Sequence, residues 1–177
     1  TNDWRDRDRY VIGVGRAADS RGGSEFVHTN VRAGMQLKIS APRNNFPLDP
    51  DAGSFLFIAG GIGITPIKAM VRWCVANDKD WRLIYAARSR QRAAFYEELC
   101  ALGGDRVHFH FDDERGQFLD ASAAISGWTE DQRIYCCGPD PLMNAVKALS
   151  EHLPSGAVRF GWFTAPEAAE GGPSGSF

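Results

Sequence analysis

The chain has 177 residues, room for one complete domain or for one domain and part of another. Apolar residues make up 44% and charged residues 24%, a globular balance that argues against wholesale disorder. Twenty Lys and Arg stand against 22 Asp and Glu, a formal charge of −2, so no nucleic-acid partner is expected. The longest uncharged run, Ala52 to Ile67, is too short and too broken by glycine and proline to span a bilayer, and no charged-then-apolar leader opens the chain; no membrane contact is expected.

In chain order, Thr1 to Arg9 is almost wholly polar, and the opening without a start methionine reads as an internal fragment. Tyr10 to Arg16 is predicted as a strand, Asp19 to Ser24 as a turn, and Ser24 as the N-cap of a short helix through Asn30. Met35 to Ser40 alternates apolar and polar residues, as a half-buried strand does. Ala41 to Gly53, with three prolines and two asparagines, is a connector. Then the pattern changes. Ser54 to Ala59 is a continuous apolar run, the mark of a strand buried on both faces. A glycine turn follows, with Pro66 at a first helical position and a helix to Ala76.

Further strands are expected at Trp81–Ala87, Arg106–Phe111, Arg133–Cys137 and Ala157–Phe163, with helices at Arg90–Leu102, Leu119–Ile125 and Pro139–His152. Asp112 to Glu114 reads as a solvated turn, and Glu167 to Phe177 has linker composition. The alternation predicts an α/β fold: a five-stranded parallel sheet with helices on both faces. Residues 10–40 have too few strands to close a barrel or bury a core by themselves.

The strongest chemical signal is Gly60-Gly61-Ile62-Gly63-Ile64-Thr65-Pro66, directly after a buried strand and opening a helix. Glycines there let backbone approach a ligand, and the N–H groups of a helix start attract phosphate. The bland alternative is a tight turn that only packs. The spacing is not the G-x-G-x-x-G of ordinary dinucleotide folds. Cys137-Gly138-Pro139 ends a later strand and opens another helix. Two glycine turns at the carboxyl ends of two strands imply one extended ligand across the sheet, and a dinucleotide fits.

Arg88-Ser89-Arg90-Gln91-Arg92 stands where an acidic residue would hold a ribose 2′-hydroxyl, so a 2′-phosphate is an equal alternative and NADH and NADPH both stay open. Ser20 to Ser24 is a weaker candidate phosphate turn. His108 and His110 share one strand face without a third ligand, and no C-x-x-C pair exists, so no metal site is expected. Cys74, Cys100, Cys136 and Cys137 read as reduced thiols of a cytoplasmic protein.

As a set, Arg21 to Ser24, Pro42 to Leu48, Ile58 to Pro66, Ala87 to Ser89 with Ala93 to Phe95, and Tyr135 to Pro139 resemble the phthalate dioxygenase reductase family, a branch of the ferredoxin–NADP reductase-like flavoproteins. The resemblance implies residues 1–50 as the C-terminal part of an antiparallel FMN-binding β-barrel, 51–165 as a nucleotide-binding domain, and 166–177 as a linker toward an absent [2Fe–2S] domain. It implies hydride transfer from NADH or NADPH to FMN, then electron transfer through the cluster to an oxygenase of the Rieske type or to a fused cytochrome P450.

By the same resemblance, Gly23 and Ser24 hold the FMN phosphate, and Gly60, Gly61, Gly63, Thr65 and Pro66 face the pyridine nucleotide with Thr65 close to the flavin. Arg88, Ser89 and Arg90 hold the adenosine ribose or its phosphate; Cys137, Gly138 and Pro139 border the nicotinamide; Phe163 lies against the flavin ring. Thr65, Cys137 and Phe163 are thus the side chains at the reacting rings. The chain departs from the pattern in three places. The family's Arg-x-Tyr-Ser-Leu flavin motif is absent, the C-x-x-x-x-C-x-x-C cluster motif is absent, and the last strand reads Arg159-Phe160-Gly161 where the family carries His-Phe-Glu. A nucleotide-binding domain without redox activity is the competing reading.

Overall fold

The computed structural model describes residues 2–16 and 21–163. The expected turn residues Asp19 and Ser20 and the linker from residue 166 onward lie outside them. In chain order the elements are α1 (Gly23–Asn30), β1 (Ser54–Gly60), α2 (Ile64–Ala76), β2 (Asp80–Ala87), α3 (Tyr96–Gly103), β3 (Val107–Phe111), α4 (Asp112–Arg115), α5 (Ser122–Ser126), β4 (Gln132–Cys137), α6 (Asp140–Leu149) and β5 (Val158–Phe160).

The strands form one five-stranded parallel sheet in the order β3-β2-β1-β4-β5. Central β1 alternates its side chains between two cores. Phe55, Phe57 and Ala59 pack with α2 and α3 residues such as Ile67, Val71 and Leu99. Leu56 and Ile58 pack on the opposite face with Ile125 of α5 and Met143 and Val146 of α6. A strand covered on both faces has no polar side to show, which is why it reads as an unbroken apolar run. Each fully buried Phe, Leu or Ile contributes about 1.5–3 kcal/mol.

The order also fixes where a ligand can sit. From β1 the chain steps to β2 and β3 with helices on one face; it then returns to the other side of β1 to lay down β4 and β5 with helices on the other. The direction of winding reverses between β1 and β4, and the crevice opens at their carboxyl ends. Those ends are Gly60 and Cys137, the beginnings of the two glycine turns.

Several expected elements differ. Tyr10–Arg16 and Met35–Ser40 are not strands. A strand needs a neighbour to complete its ladder, and none among the described residues supplies one; Tyr10, Ile12 and Ile39 are 68%, 73% and 69% exposed. The short helix is capped by Gly22, in the left-handed region at φ 103°, not by Ser24. A single 3₁₀ turn, Gly61–Gly63, leads into α2, which begins two residues before Pro66; proline is tolerated there because first-turn N–H groups have no helical acceptor.

The helix expected over Arg90–Leu102 is broken. A 3₁₀ turn spans Arg90–Arg92, and Phe95, at φ 63°, caps α3 in a left-handed conformation. Its ring lies 3.7 Å from the Lys68 ammonium, which is buried and paired with Glu98 at 2.7 Å. The acidic turn after β3 is a full helical turn, α4, tied back by the Asp113 N–H donating to the Arg88 carbonyl at 3.1 Å. The last strand ends at Phe160 and does not continue to Phe163.

Candidate active site

The two glycine turns touch through their backbones. A Cβ at Gly60 would lie 2.7 Å from Cδ of Pro139, and one at Gly138 would lie 3.0 Å from both N and Cα of Gly60. A Cβ at Gly63 would meet the Cys137 carbonyl and lie 2.7 Å from the Gly138 nitrogen. At these three positions glycine is required by packing, as the bland reading of the motif expects. Gly61 is the open one. It has φ 51°, and a Cβ there would have nothing within 4 Å. That is the cradle where backbone can approach a ligand.

The turn is held from below. The buried Tyr85 of β2 donates its hydroxyl to the Gly61 carbonyl at 3.0 Å, and burial pushes this phenol up to about 12. Thr65 donates its hydroxyl to the Ile62 carbonyl at 2.9 Å, so its proton is committed to the turn. The Thr65 methyl faces residues 10–16: a Cβ at Gly13 would lie 2.7 Å from it, and one at Gly15 would lie 3.3 Å from Ile62 Cβ. The same segment meets α1 through the His28 Nε2 to Val14 carbonyl contact of 2.8 Å and the Arg16–Glu25 pair at 3.7 Å. A chain of contacts therefore joins α1, residues 13–16 and the glycine turn.

The expected site residues fall into groups. Gly60 and Gly63 meet Cys137, Gly138 and Pro139 at the switch point, Gly61 lies between them with its Cα face open, and Thr65 and Pro66 follow in the first turn of α2. Cys137 is 1% exposed and packs in the core beneath the switch point; burial pushes its thiol up to about 11, so it stays protonated at neutral pH and is not a nucleophile. Gly23 and Ser24 open α1; Gly22 and Gly23 have nothing within 4 Å of a built Cβ. Arg88 and Ser89 follow β2. The Arg90 guanidinium is already engaged, 5.0 Å above the Tyr96 ring, 5.7 Å from the Phe111 ring and 4.0 Å from Glu114. Phe163 is 62% exposed and lies beyond β5. Among the described residues no group of three or more His, Cys, Asp and Glu side chains is placed to hold a metal ion, and no helix is long and apolar enough to cross a membrane.

Sequence reasoning missed Tyr85. Its only signal is the inward alternation Trp81, Leu83, Tyr85 on β2, which marks a core aromatic but not a hydroxyl aimed at the turn.

The sequence pattern of the oxidoreductase NAD-binding domain matches residues 57–148. The chain is 44% identical over 173 residues to the phenoxybenzoate dioxygenase subunit beta of Ectopseudomonas oleovorans, covering 97% of this chain and 54% of that one. The crystal structure of phthalate dioxygenase reductase, described as modular for electron transfer from pyridine nucleotides to [2Fe–2S], superimposes with a TM-score of 0.83 at 38% identity, over 90% of this chain and 51% of the other. An intact type IV self-sufficient cytochrome P450 monooxygenase superimposes with a TM-score of 0.82 at 35% identity, over 86% of this chain and 20% of that one. The chain spans about half the length of the curated relatives it matches. With the abutting glycine turns at the switch point of a ferredoxin reductase-like sheet, these matches place the chain in the oxidoreductase NAD-binding domain family.

Proposed function

We propose that this chain is the nucleotide-side portion of an oxygenase reductase, taking hydride from NADH to FMN for onward single-electron delivery. The observation that carries this reading is the open face of Gly61, beside β1 and β4 tips that touch through glycine backbone. A dinucleotide lying there would be gripped by residues 60–66 and 137–139. In this reading residues 1–50 belong to the flavin side, 51–165 bind the nucleotide, and 166–177 lead toward a [2Fe–2S] domain. Gly23 and Ser24, at the start of α1 with open space around Gly22 and Gly23, suit a phosphate of FMN. When bound, the nicotinamide would supply hydride and the flavin would accept it.

The protein's own residues position and exclude. Tyr85 holds the Gly61 carbonyl, Thr65 fixes the turn and offers a methyl toward the flavin-side segment, and Cys137 gives the nicotinamide a neutral wall without proton chemistry. Phe163 is assigned the outer face of the flavin. NADH is favoured over NADPH because Arg90 is already paired with Glu114 and stacked on two rings, while Asp113 is tied to the backbone of Arg88. A 2′-phosphate near Arg88 and Ser89 would face α4, whose first three residues are acidic. The partner is an oxygenase, as the dioxygenase and P450 names of the similar proteins suggest, and a Rieske-type one if the family resemblance holds; the unpaired thiols fit a cytoplasmic setting.

A nucleotide-binding domain without redox activity is favoured by one observation: residues 10–16 and 35–40, on the flavin side, pair with no strand among the described residues. Anaerobic mixing of the purified chain with FMN and then NADH separates the two. Bleaching of bound flavin supports the reductase; NADH binding with no flavin bound or reduced supports the alternative.

A further inference from the structure

The connector ahead of β1 is fastened to the far side of the sheet by groups the proposed reaction does not use. The Asp49 N–H donates to the Tyr135 hydroxyl at 2.7 Å, and that hydroxyl donates to the Pro47 carbonyl at 3.2 Å. The Asp49 carboxylate faces Arg133 at 3.4 Å and Arg159 at 3.5 Å, and Arg159 also donates to the Pro47 carbonyl at 3.4 Å. The Phe46 ring lies 5.4 Å from the Tyr135 ring. A Cβ at Gly161 would lie 2.7 Å from two atoms of the Phe46 ring, so only glycine leaves the ring its place.

Tyr135 is wholly buried, and one hydroxyl satisfies an N–H and a carbonyl of a distant segment. Losing it would strand the Asp49 N–H and leave the Pro47 carbonyl to Arg159 alone. Both positions at which Arg159-Phe160-Gly161 departs from the His-Phe-Glu pattern, Arg159 and Gly161, belong to this assembly. Its elements are also well placed to matter. Cys137 lies two residues after Tyr135 on β4, and residues 21–46 lead into the fold through the fastened segment.

We propose that Tyr135, Asp49, Arg133 and Arg159 form a latch that positions the flavin-side segment against the nucleotide turn. These are positioning residues; none touches the nucleotide cradle. The inference rests on the reductase reading above. It deepens that reading by stating what holds the two cofactor sides in register.

The test compares the chain with Tyr135→Phe, and with Asp49→Asn should the first fail to fold. Two readouts are taken on the same samples. In hydrogen–deuterium exchange, the 46–51 peptide should exchange about 5- to 10-fold faster in either variant, with β1 and β4 peptides unchanged. In kinetics with NADH and added FMN, the maximal rate should fall about 10-fold while KM for NADH stays within about 2-fold, the split expected when orientation rather than binding is lost. Unchanged exchange overturns the latch. Faster exchange with an unchanged maximal rate reduces it to ordinary loop packing and also overturns the proposal. If the unsubstituted chain reduces no FMN, the reductase reading fails and the latch falls with it; if that chain reduces FMN and the variants match its rate, the latch alone is overturned.

Discussion

Gly63 sits directly against the backbone of Cys137: a side chain at position 63 would run into the Cys137 carbonyl, with the Gly138 nitrogen 2.7 Å away. Neither obstacle is the end of a flexible side chain. The first turn of α2 and the tip of β4 therefore approach only because position 63 lacks a Cβ.

This contact separates two glycine substitutions that look alike in the sequence. Gly63→Ala should destabilise the fold by about 3 kcal/mol, since α2 or β4 must shift. Gly61→Val should cost about 1–2 kcal/mol for the left-handed backbone, leave the domain folded, and abolish NADH binding by filling the open cradle. Urea unfolding followed by calorimetric titration of each variant measures both effects. Equal stability loss at the two positions would contradict the division.

Tyr85→Phe removes one hydroxyl and leaves the Gly61 carbonyl without its buried donor. A loss of about 1–2 kcal/mol is expected, together with several-fold weaker NADH binding as the turn loosens. Binding unchanged within error would show that the turn holds its shape without this bond.

The buried thiols make a pH prediction. Burial pushes Cys74 and Cys136 up to about 12 and Cys137 up to about 11. The unfolded chain would release these protons near the ordinary thiol range of about 8.5. Above that range the unfolded state binds fewer protons than the folded one, so stability falls as pH rises. The contribution is full below about pH 8.5 and lost on the way to pH 11–12. Urea midpoints from pH 8 to 11 should fall steadily, and Cys137→Ser should flatten part of that slope. A flat profile would mean that the thiols ionise in the folded protein as they do in water.

Donor choice can be moved at α4. Asp113→Asn with Glu114→Gln removes two negative charges near Arg88 and Arg90 and releases Arg90 from its acidic partner. NADPH affinity should rise about 10-fold with NADH affinity nearly constant. An equal change for both nucleotides would place the ribose elsewhere.

Much of the sheet was legible because parallel strands covered on both faces must be apolar without interruption, as Phe55 to Ala59 are. The switch point followed from two glycine turns at two strand ends. What each glycine does was not legible, since Gly60, Gly61, Gly63 and Gly138 differ only in what lies within 4 Å of the missing Cβ. The break before α3 was hidden too, because nothing local marks Phe95 as left-handed; its ring is placed by Lys68, far away in sequence. Tyr10–Arg16 reads as a strand and Met35–Ser40 alternates, but a ladder is a property of two segments and each pattern describes one.

The hydroxyl that Tyr85 lends to Gly61 has a thermodynamic side. The cradle's shape is settled when the sheet folds, so its ordering entropy is spent before any coenzyme arrives. Coenzyme association should then proceed with a small heat-capacity change and little backbone rearrangement, as a key enters a lock already cut.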